Sequence, residues 1–254
     1  PPTLPDAPTP TPSAPGGEAP SDGKGLMSPS TDDDMGLPTG PSEIEELKDL
    51  YATKGKEYRK SKVKKYSYLN DPLVKGGTRG NSRIHGDASI ETQNTVISRI
   101  IKKGVEERLS VRDIAIVLAI AKHESGFNPD AAAGTTSARG IGQFVNSTGS
   151  DYGINSGNQW DLDTQVDALI KHTKDNKRRA INNKKGEEYI YKYHHDGPKL
   201  DYGGLSISKN KVMPLVTKFE SYLRRKGVSD PKPLAPKVSL RPKSRPEEEE
   251  IASN

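Results

Sequence analysis

The chain has no cysteine, which excludes disulfide bonds and thiolate chemistry and leaves the redox state of its compartment unmarked. It also lacks a long apolar run. The longest, Ile114 to Ala121, is far short of the roughly 20 residues a helix needs to cross a bilayer, so a soluble protein is expected. Large apolar content is scarce: 31% of the 254 residues are hydrophobic against 29% charged, with 20 Pro and 24 Gly. That balance predicts one modest folded domain with long polar extensions rather than two cores. No succession of charged, apolar and small residues at the start resembles a secretory signal, and the chain begins at Pro1 rather than Met. A processed product, an excerpt or one section of a longer polypeptide is expected.

What is present is basic and unevenly distributed. A net charge of +5 favours anionic polymers, among them nucleic acid, teichoic acids, anionic lipid surfaces and peptidoglycan with its peptide carboxylates. Residues 1–42 are rich in Pro, Ser, Thr, Gly and Asp, include Asp32, Asp33 and Asp34, and have little to bury, so they read as a disordered tether. In residues 43–88, Ser42 and Glu45 have the spacing of a capping box, and Ile44, Leu47, Leu50 and Tyr51 recur at helical intervals. This basic helix ends in Arg59, Lys60, Lys62, Lys64 and Lys65, a solvated face or a contact to DNA or another subunit, and Gly76, Gly77, Gly80 and Gly86 mark a loop-rich connector.

Residues 89–227 carry the helical periodicity of a folded domain. A helix over roughly Glu91 to Arg108 should face Val96, Ile97, Ile100, Ile101 and Val105 inward. Ser110 and Asp113 then have the N-cap and N3 spacing of a second helix. It carries Ile114, Val117, Leu118 and Ala121 on one side and Ile116 and Ile120 on the other, which predicts the buried central helix, stopped by Gly126 and Asn128-Pro129. A third starts near Asp161 or Asp163 with Val166, Leu169, Ile170 and Thr173. A short one carries Tyr189, Ile190 and Tyr193, and a last one Val212, Leu215, Val216, Phe219 and Leu223, with Pro214 in its first turn and Gly227 as stop. No segment alternates as a strand, so the fold class is mostly α. Residues 228–254, rich in Pro and Lys before Glu247 to Glu250, read as a flexible tail.

Glu124 shares the buried stripe of the central helix, four residues beyond Ile120 and seven beyond Val117, so its carboxyl should point inward. Lost hydration and the negative end of the helix dipole both disfavour its anion and should raise its pKa, as proton donation to a leaving sugar oxygen requires. Downstream, Gly134, Gly140 and Gly142 with Ser137 and Ala138 let a polymer approach the backbone closely, and Gln143 can both donate to and accept from sugar hydroxyl and acetamido groups.

Three segments together resemble the motifs of the soluble lytic transglycosylase (SLT) domain, whose fold is goose-lysozyme-like. They are Glu124-Ser125-Gly126-Phe127-Asn128-Pro129, Ser137-Ala138-Arg139-Gly140-Ile141-Gly142-Gln143 and Tyr193-His194-His195-Asp196-Gly197-Pro198. The resemblance covers about Ser89 to Tyr222 and implies cleavage of the MurNAc to GlcNAc linkage of peptidoglycan. It makes Glu124 the sole acid and base, lines the groove with Gln143 and places Tyr193 near the carboxyl. With Gly140, Ser125, Phe144 and His195 these form the expected substrate-contacting set. In the third motif, aligning on Gly197-Pro198 puts His194 at the Tyr position and His195 at the Asn position, whereas Tyr193 fits with a one-residue shift. The His-His-Asp-Gly variant and the long tether also resemble versions carried on bacteriophage particles, with other virion proteins as partners and the periplasm or cell wall as the place of action; a secreted bacterial protein is the alternative.

A lone acid suffices if the C6 hydroxyl of the same MurNAc is the nucleophile, giving a 1,6-anhydro sugar. Hydrolysis would call for a second carboxylate, with Asp151, Asp161, Asp163 and Asp196 as candidates. A third alternative is a structural or ejection component whose lysozyme-like domain no longer cuts. Phe144, Tyr152, Trp160, Tyr191 and Tyr202 are candidates for stacking on sugars, with core packing as the alternative use of each. No metal or other cofactor is expected: the metalloprotease helix pattern begun by His123-Glu124 would need His where Phe127 stands.

Overall fold

Helix α1 (Ile90–Glu106) starts where the Ser89 hydroxyl accepts the Thr92 N–H at 3.2 Å, satisfying one of the orphan donors of the first turn. The computed structural model describes residues 50–52, 68, 71–72, 74–80, 83 and 86–233, and all structural statements refer to these. The tether assigned to residues 1–42, the basic run Arg59 to Lys65 and, of the expected tail, residues 234–254 fall outside them. The chain divides into two units, Pro1–Asp34 and Met35–Asn254, and every described residue belongs to the second.

Helix α2 (Val111–Ser125) is capped by Ser110, whose hydroxyl accepts from Asp113 N–H at 3.1 Å and donates to the Asp113 carboxylate at 2.6 Å. Its residues from Ile114 to Ala121 are all buried, as expected for the central helix. Around it stand α1, the short α3 (Asn146–Asp151), α4 (Leu162–Asn182), α5 (Glu188–Asp196), α6 (Gly204–Ile207), a π-helical turn (Ser208–Val212) and α7 (Met213–Arg225). Helix α2 packs chiefly on α7, with Phe127 edge-on to Phe219 at 6.0 Å, and α4 packs on α5. Among the described residues there are only isolated bridges, Ala132 with Arg139 and Arg139 with Phe144, so the fold is mostly α and lysozyme-like helical.

One side chain expected inside is outside. Val105 is 42% exposed, because Gly104 instead faces α2 so closely that a Cβ there would come within 2.7 Å of Ile114 Cγ1. Packing also extends beyond the helices at both ends. Leu50 and Tyr51 belong to the core, and the Ala52 N–H and carbonyl both bond the buried Gln93 amide at 2.9 Å. After α7, Val228 lies against the core and Asp230 accepts from Val111 N–H at 2.8 Å, filling a donor left open at the start of α2.

Candidate active site

Glu124 sits in the last turn of α2, and Gly126, at φ 59°, closes that helix in the left-handed conformation; the next residue, Phe127, keeps a positive φ of 56° despite its side chain. Such backbone is costly for a non-glycine residue and persists where its surroundings hold it, here by complete burial of the Phe127 ring. The turn therefore fixes where the carboxyl emerges. Ser125, 4% exposed, ties this turn to the glycine loop: its hydroxyl lies 3.0 Å from both the Ala121 and Ile141 carbonyls and accepts from Asn128 N–H.

The glycine loop is a tight reversal in which Arg139 and Phe144 exchange backbone hydrogen bonds at 3.1 and 3.3 Å, with Gln143 at a φ of 48°. Gln165 of α4 anchors it from behind. Its Oε1 accepts from Ile141 N–H at 2.9 Å, and its Nε2 donates to the Pro129 and Gln159 carbonyls at 2.9 and 2.8 Å. Gly140, at φ 73°, faces that amide so closely that a Cβ would stand 2.7 Å from Gln165 Oε1. Gly140 thus serves the packing of the loop, and Ser125 its attachment, and both are buried.

The Glu124 side chain is 16% exposed. Tyr191 of α5 donates its hydroxyl to Glu124 Oε1 at 2.7 Å, and His194 Nε2 lies 3.9 Å from the same oxygen. Burial raises the Glu124 pKa above the ordinary carboxylate value, against the opposing pull of the Tyr191 hydrogen bond and of His195. His194 is itself pushed well below the usual histidine value, first by burial and then by the neighbouring His172, so its contact with Glu124 is that of a neutral imidazole. Glu124 is therefore a carboxyl whose anion burial disfavours, held by a phenol and a neutral imidazole, an arrangement suited to proton donation.

The tyrosine on the acid is Tyr191 and not Tyr193. Tyr193 turns its hydroxyl to accept from Asn183 at 3.2 Å. The physical reason is that the third segment is helical: on α5, Tyr191 and His194 are three apart and share a face, whereas Tyr193 lies on a different side. His195 Nδ1 bonds Asp196 Oδ1 at 2.6 Å, and its ring stands 5.8 Å from that of Tyr191. Phe144, 3% exposed, lies beneath, against His172 and His194 at 5.3 and 5.7 Å.

Gln143, Phe144, Tyr152, Arg179 and His194 are among the residues around a cavity of about 390 Å³, a volume within the usual range of ligand sites. Gln143 donates to the Gly140 and Ala131 carbonyls at 2.9 and 3.3 Å, leaving Oε1 without a protein partner among the described residues. Of the other stacking candidates, Tyr152 faces this cavity, while Trp160 is 5% exposed, covered by the Arg83 guanidinium at 4.0 Å and bonded through its indole N–H to Asp71 at 2.9 Å. Tyr202 is 69% exposed.

Three of the four candidate second carboxylates are occupied in caps and pairs. Asp161 caps α4 through Thr164 N–H at 2.8 Å, Asp163 pairs with Arg99 at 2.9 Å, and Asp196 accepts from Gly204 N–H as well as facing His195. Asp151 is exposed at the cavity rim. Among the described residues no group of His, Asp and Glu has the arrangement of a metal site.

His172, Asn176 and Gln165 escaped the sequence reading, although a signal was there. They are polar residues on the face of α4 that also carries Leu169 and Thr173, and all three are buried. Residues 91–196 match the family model described as phage tail lysozyme, a span that contains Glu124, the glycine loop and the His194-His195-Asp196 segment. No curated protein and no solved structure matches the chain. Residues 91–196 are thus similar to phage tail lysozymes, a likeness that does not distinguish the SLT type.

Proposed function

We propose that this chain is a peptidoglycan lytic transglycosylase of the SLT type, carried in a phage particle and cutting the β-1,4 linkage between MurNAc and GlcNAc where the wall is opened for genome delivery. The observation that carries the reading is Glu124: a carboxyl whose pKa burial raises, hydrogen-bonded by Tyr191 and joined through Ser125 to a glycine loop that presents Gln143 to a cavity. Glu124 protonates the glycosidic oxygen as the bond to C1 breaks. As carboxylate it then takes the proton of the C6 hydroxyl of the same MurNAc, whose oxygen closes on C1, and the acid is restored without water. Single-acid chemistry is supported by the occupation of Asp161, Asp163 and Asp196 in caps and pairs.

The lysozyme match favours hydrolysis as the second reading, with water replacing the C6 hydroxyl. Purified sacculi digested by the wild-type protein should release anhydro-muropeptides, and Glu124→Gln, which keeps an acceptor for Tyr191, should fold normally and be slower by about 10²- to 10⁴-fold. Products that are all one water heavier and end in a reducing sugar would establish hydrolysis. Wild-type rates in Glu124→Gln would remove the acid from the mechanism.

A further inference from the structure

Behind the acid runs a chain of hydrogen bonds that the cleavage reaction leaves unexplained. Arg179 Nη1 donates to Asn176 Oδ1 at 3.1 Å; Asn176 Nδ2 meets His172 Nε2 at 3.1 Å; His172 Nδ1 meets His194 Nδ1 at 3.1 Å; and His194 Nε2 meets the Gly142 carbonyl at 3.0 Å, 3.9 Å from Glu124 Oε1. His172 and Asn176 are 6% and 1% exposed, and the His194 side chain 5%.

The direction of every bond in this chain follows from its first member. Arginine has only donors, so the Asn176 atom facing it is the carbonyl oxygen and the atom facing His172 is the amide nitrogen. His172 Nε2 must then accept, and a neutral imidazole that accepts at one nitrogen carries its proton on the other. His172 therefore donates from Nδ1 to His194 Nδ1, and His194 in turn carries its proton on Nε2, where the Gly142 carbonyl accepts it. Neutrality of both rings is supported by burial, which drives His172 down to about 4 and His194 well below its usual range. Two adjacent histidines are thus held in opposite tautomers by a guanidinium that stands beyond them.

We propose that Arg179, Asn176 and His172 are positioning residues that fix His194 as an N–H donor, anchoring the glycine loop at Gly142 and standing ready to stabilise the Glu124 carboxylate left when its proton passes to the leaving oxygen. His194 keeps its own proton throughout; it only shares the hydrogen bond between the Gly142 carbonyl and Glu124 Oε1, where Tyr191 is already a donor. The chain also explains why polar side chains occupy the apolar face of α4: a ring with the wrong tautomer at His194 would set a lone pair against the Gly142 carbonyl. The role rests on the acid assignment to Glu124, but the arrangement of protons does not.

The test is long-range ¹H–¹⁵N correlation on the full chain labelled at histidine, read at pH 6. The expected spectrum has His172 neutral and protonated on Nδ1, and His194 neutral and protonated on Nε2. The same tautomer in both rings, exchange between tautomers, or an imidazolium at either position would overturn the proposal, whatever the enzyme proves to do. On sacculi, His172→Asn keeps an N–H where Nδ1 stood and should lose less than about threefold in kcat, whereas His172→Phe fills the same space without a donor and should lose about tenfold at nearly unchanged KM. A merely structural aromatic would give the reverse order, with His172→Phe the more active, and that order would equally overturn it.

Discussion

At the scale of single residues, the acid depends on a phenol that cannot itself ionise. Burial, followed by the nearby Glu124 charge and its hydrogen bond, pushes the Tyr191 pKa far above the ordinary tyrosine value, so the hydroxyl is a donor at every working pH. Its bond to Glu124 Oε1 lowers the carboxyl pKa against the upward effect of burial. Tyr191→Phe keeps the ring between His123, 5.4 Å away, and His194, 6.0 Å away, and removes only that bond. The Glu124 pKa should then rise further, moving the alkaline limb of the pH–rate profile to higher pH. The carboxylate formed in the reaction also loses a charge-assisted bond, so kcat should fall by about tenfold or more. Muropeptide release measured across pH checks both, and an alkaline limb that stays in place would show that Tyr191 does not tune the acid. Tyr191 lies five residues before the Asp196 that the motif contains, and the sequence marked it only as a stacking candidate. Alignment on Gly197-Pro198 points to His194 at the Tyr position, and helical geometry adds Tyr191, three residues before it on the same face.

At the scale of elements, the helices were legible and their joints were not. Caps and periodicity mark α1, α2, α4, α5 and α7, because Ser110 with Asp113, Asp161 and Pro214 act through local backbone chemistry that sequence spacing records. Helix α3, the stretch from Gly204 to Val212 and the exposure of Val105 depend on what the chain meets in space, as Gly104 meeting Ile114 illustrates. The glycine loop is such a joint. Gln165 spans from α4 to Ile141, Pro129 and Gln159, so it holds the loop against the segment that follows the acid. Gln165→Ala leaves the buried Ile141 N–H and two carbonyls without their partner, a loss of about 3 kcal/mol at roughly 1–3 kcal/mol for each unsatisfied group after partial relaxation. For a domain of this size the melting temperature should drop by roughly 6–12 °C. A melt within about 2 °C of wild type would mean that solvent reaches the loop and that Gln165 does not set its position. Gln165→Glu should be worse than Gln165→Met, since a carboxylate would set a buried negative charge against the Pro129 and Gln159 carbonyls, whereas a thioether brings no charge.

At the scale of the whole molecule, the site imposes opposing pH dependences on folding. His172 is held neutral down to about 4, first by burial and then by Arg179, with Asp175 opposing, and His194 is lowered by burial with His172, His195 and His123 around it. Glu124 and Tyr191 face His194 from α2 and α5, and Tyr152 faces His172. A base whose folded pKa is depressed binds its proton first in the unfolded chain, so stability is full above about 6.5 and is lost as pH falls towards 4. For His172 alone the loss is about 3 kcal/mol. Glu124 acts with the other sign: its folded pKa is raised, so its contribution is full below the unfolded value and fades as pH rises through the folded one. Wild-type stability between pH 4 and 7 is therefore the difference of two slopes, and single substitutions separate them. Chemical denaturation at a series of pH values should give a steeper rise with pH for Glu124→Gln than for wild type, because the opposing carboxyl is gone, and a shallower rise for His172→Phe. Parallel curves for all three would mean that the buried groups titrate alike in the folded and unfolded chain, which would leave the acid without its raised pKa and the histidine pair without its enforced neutrality.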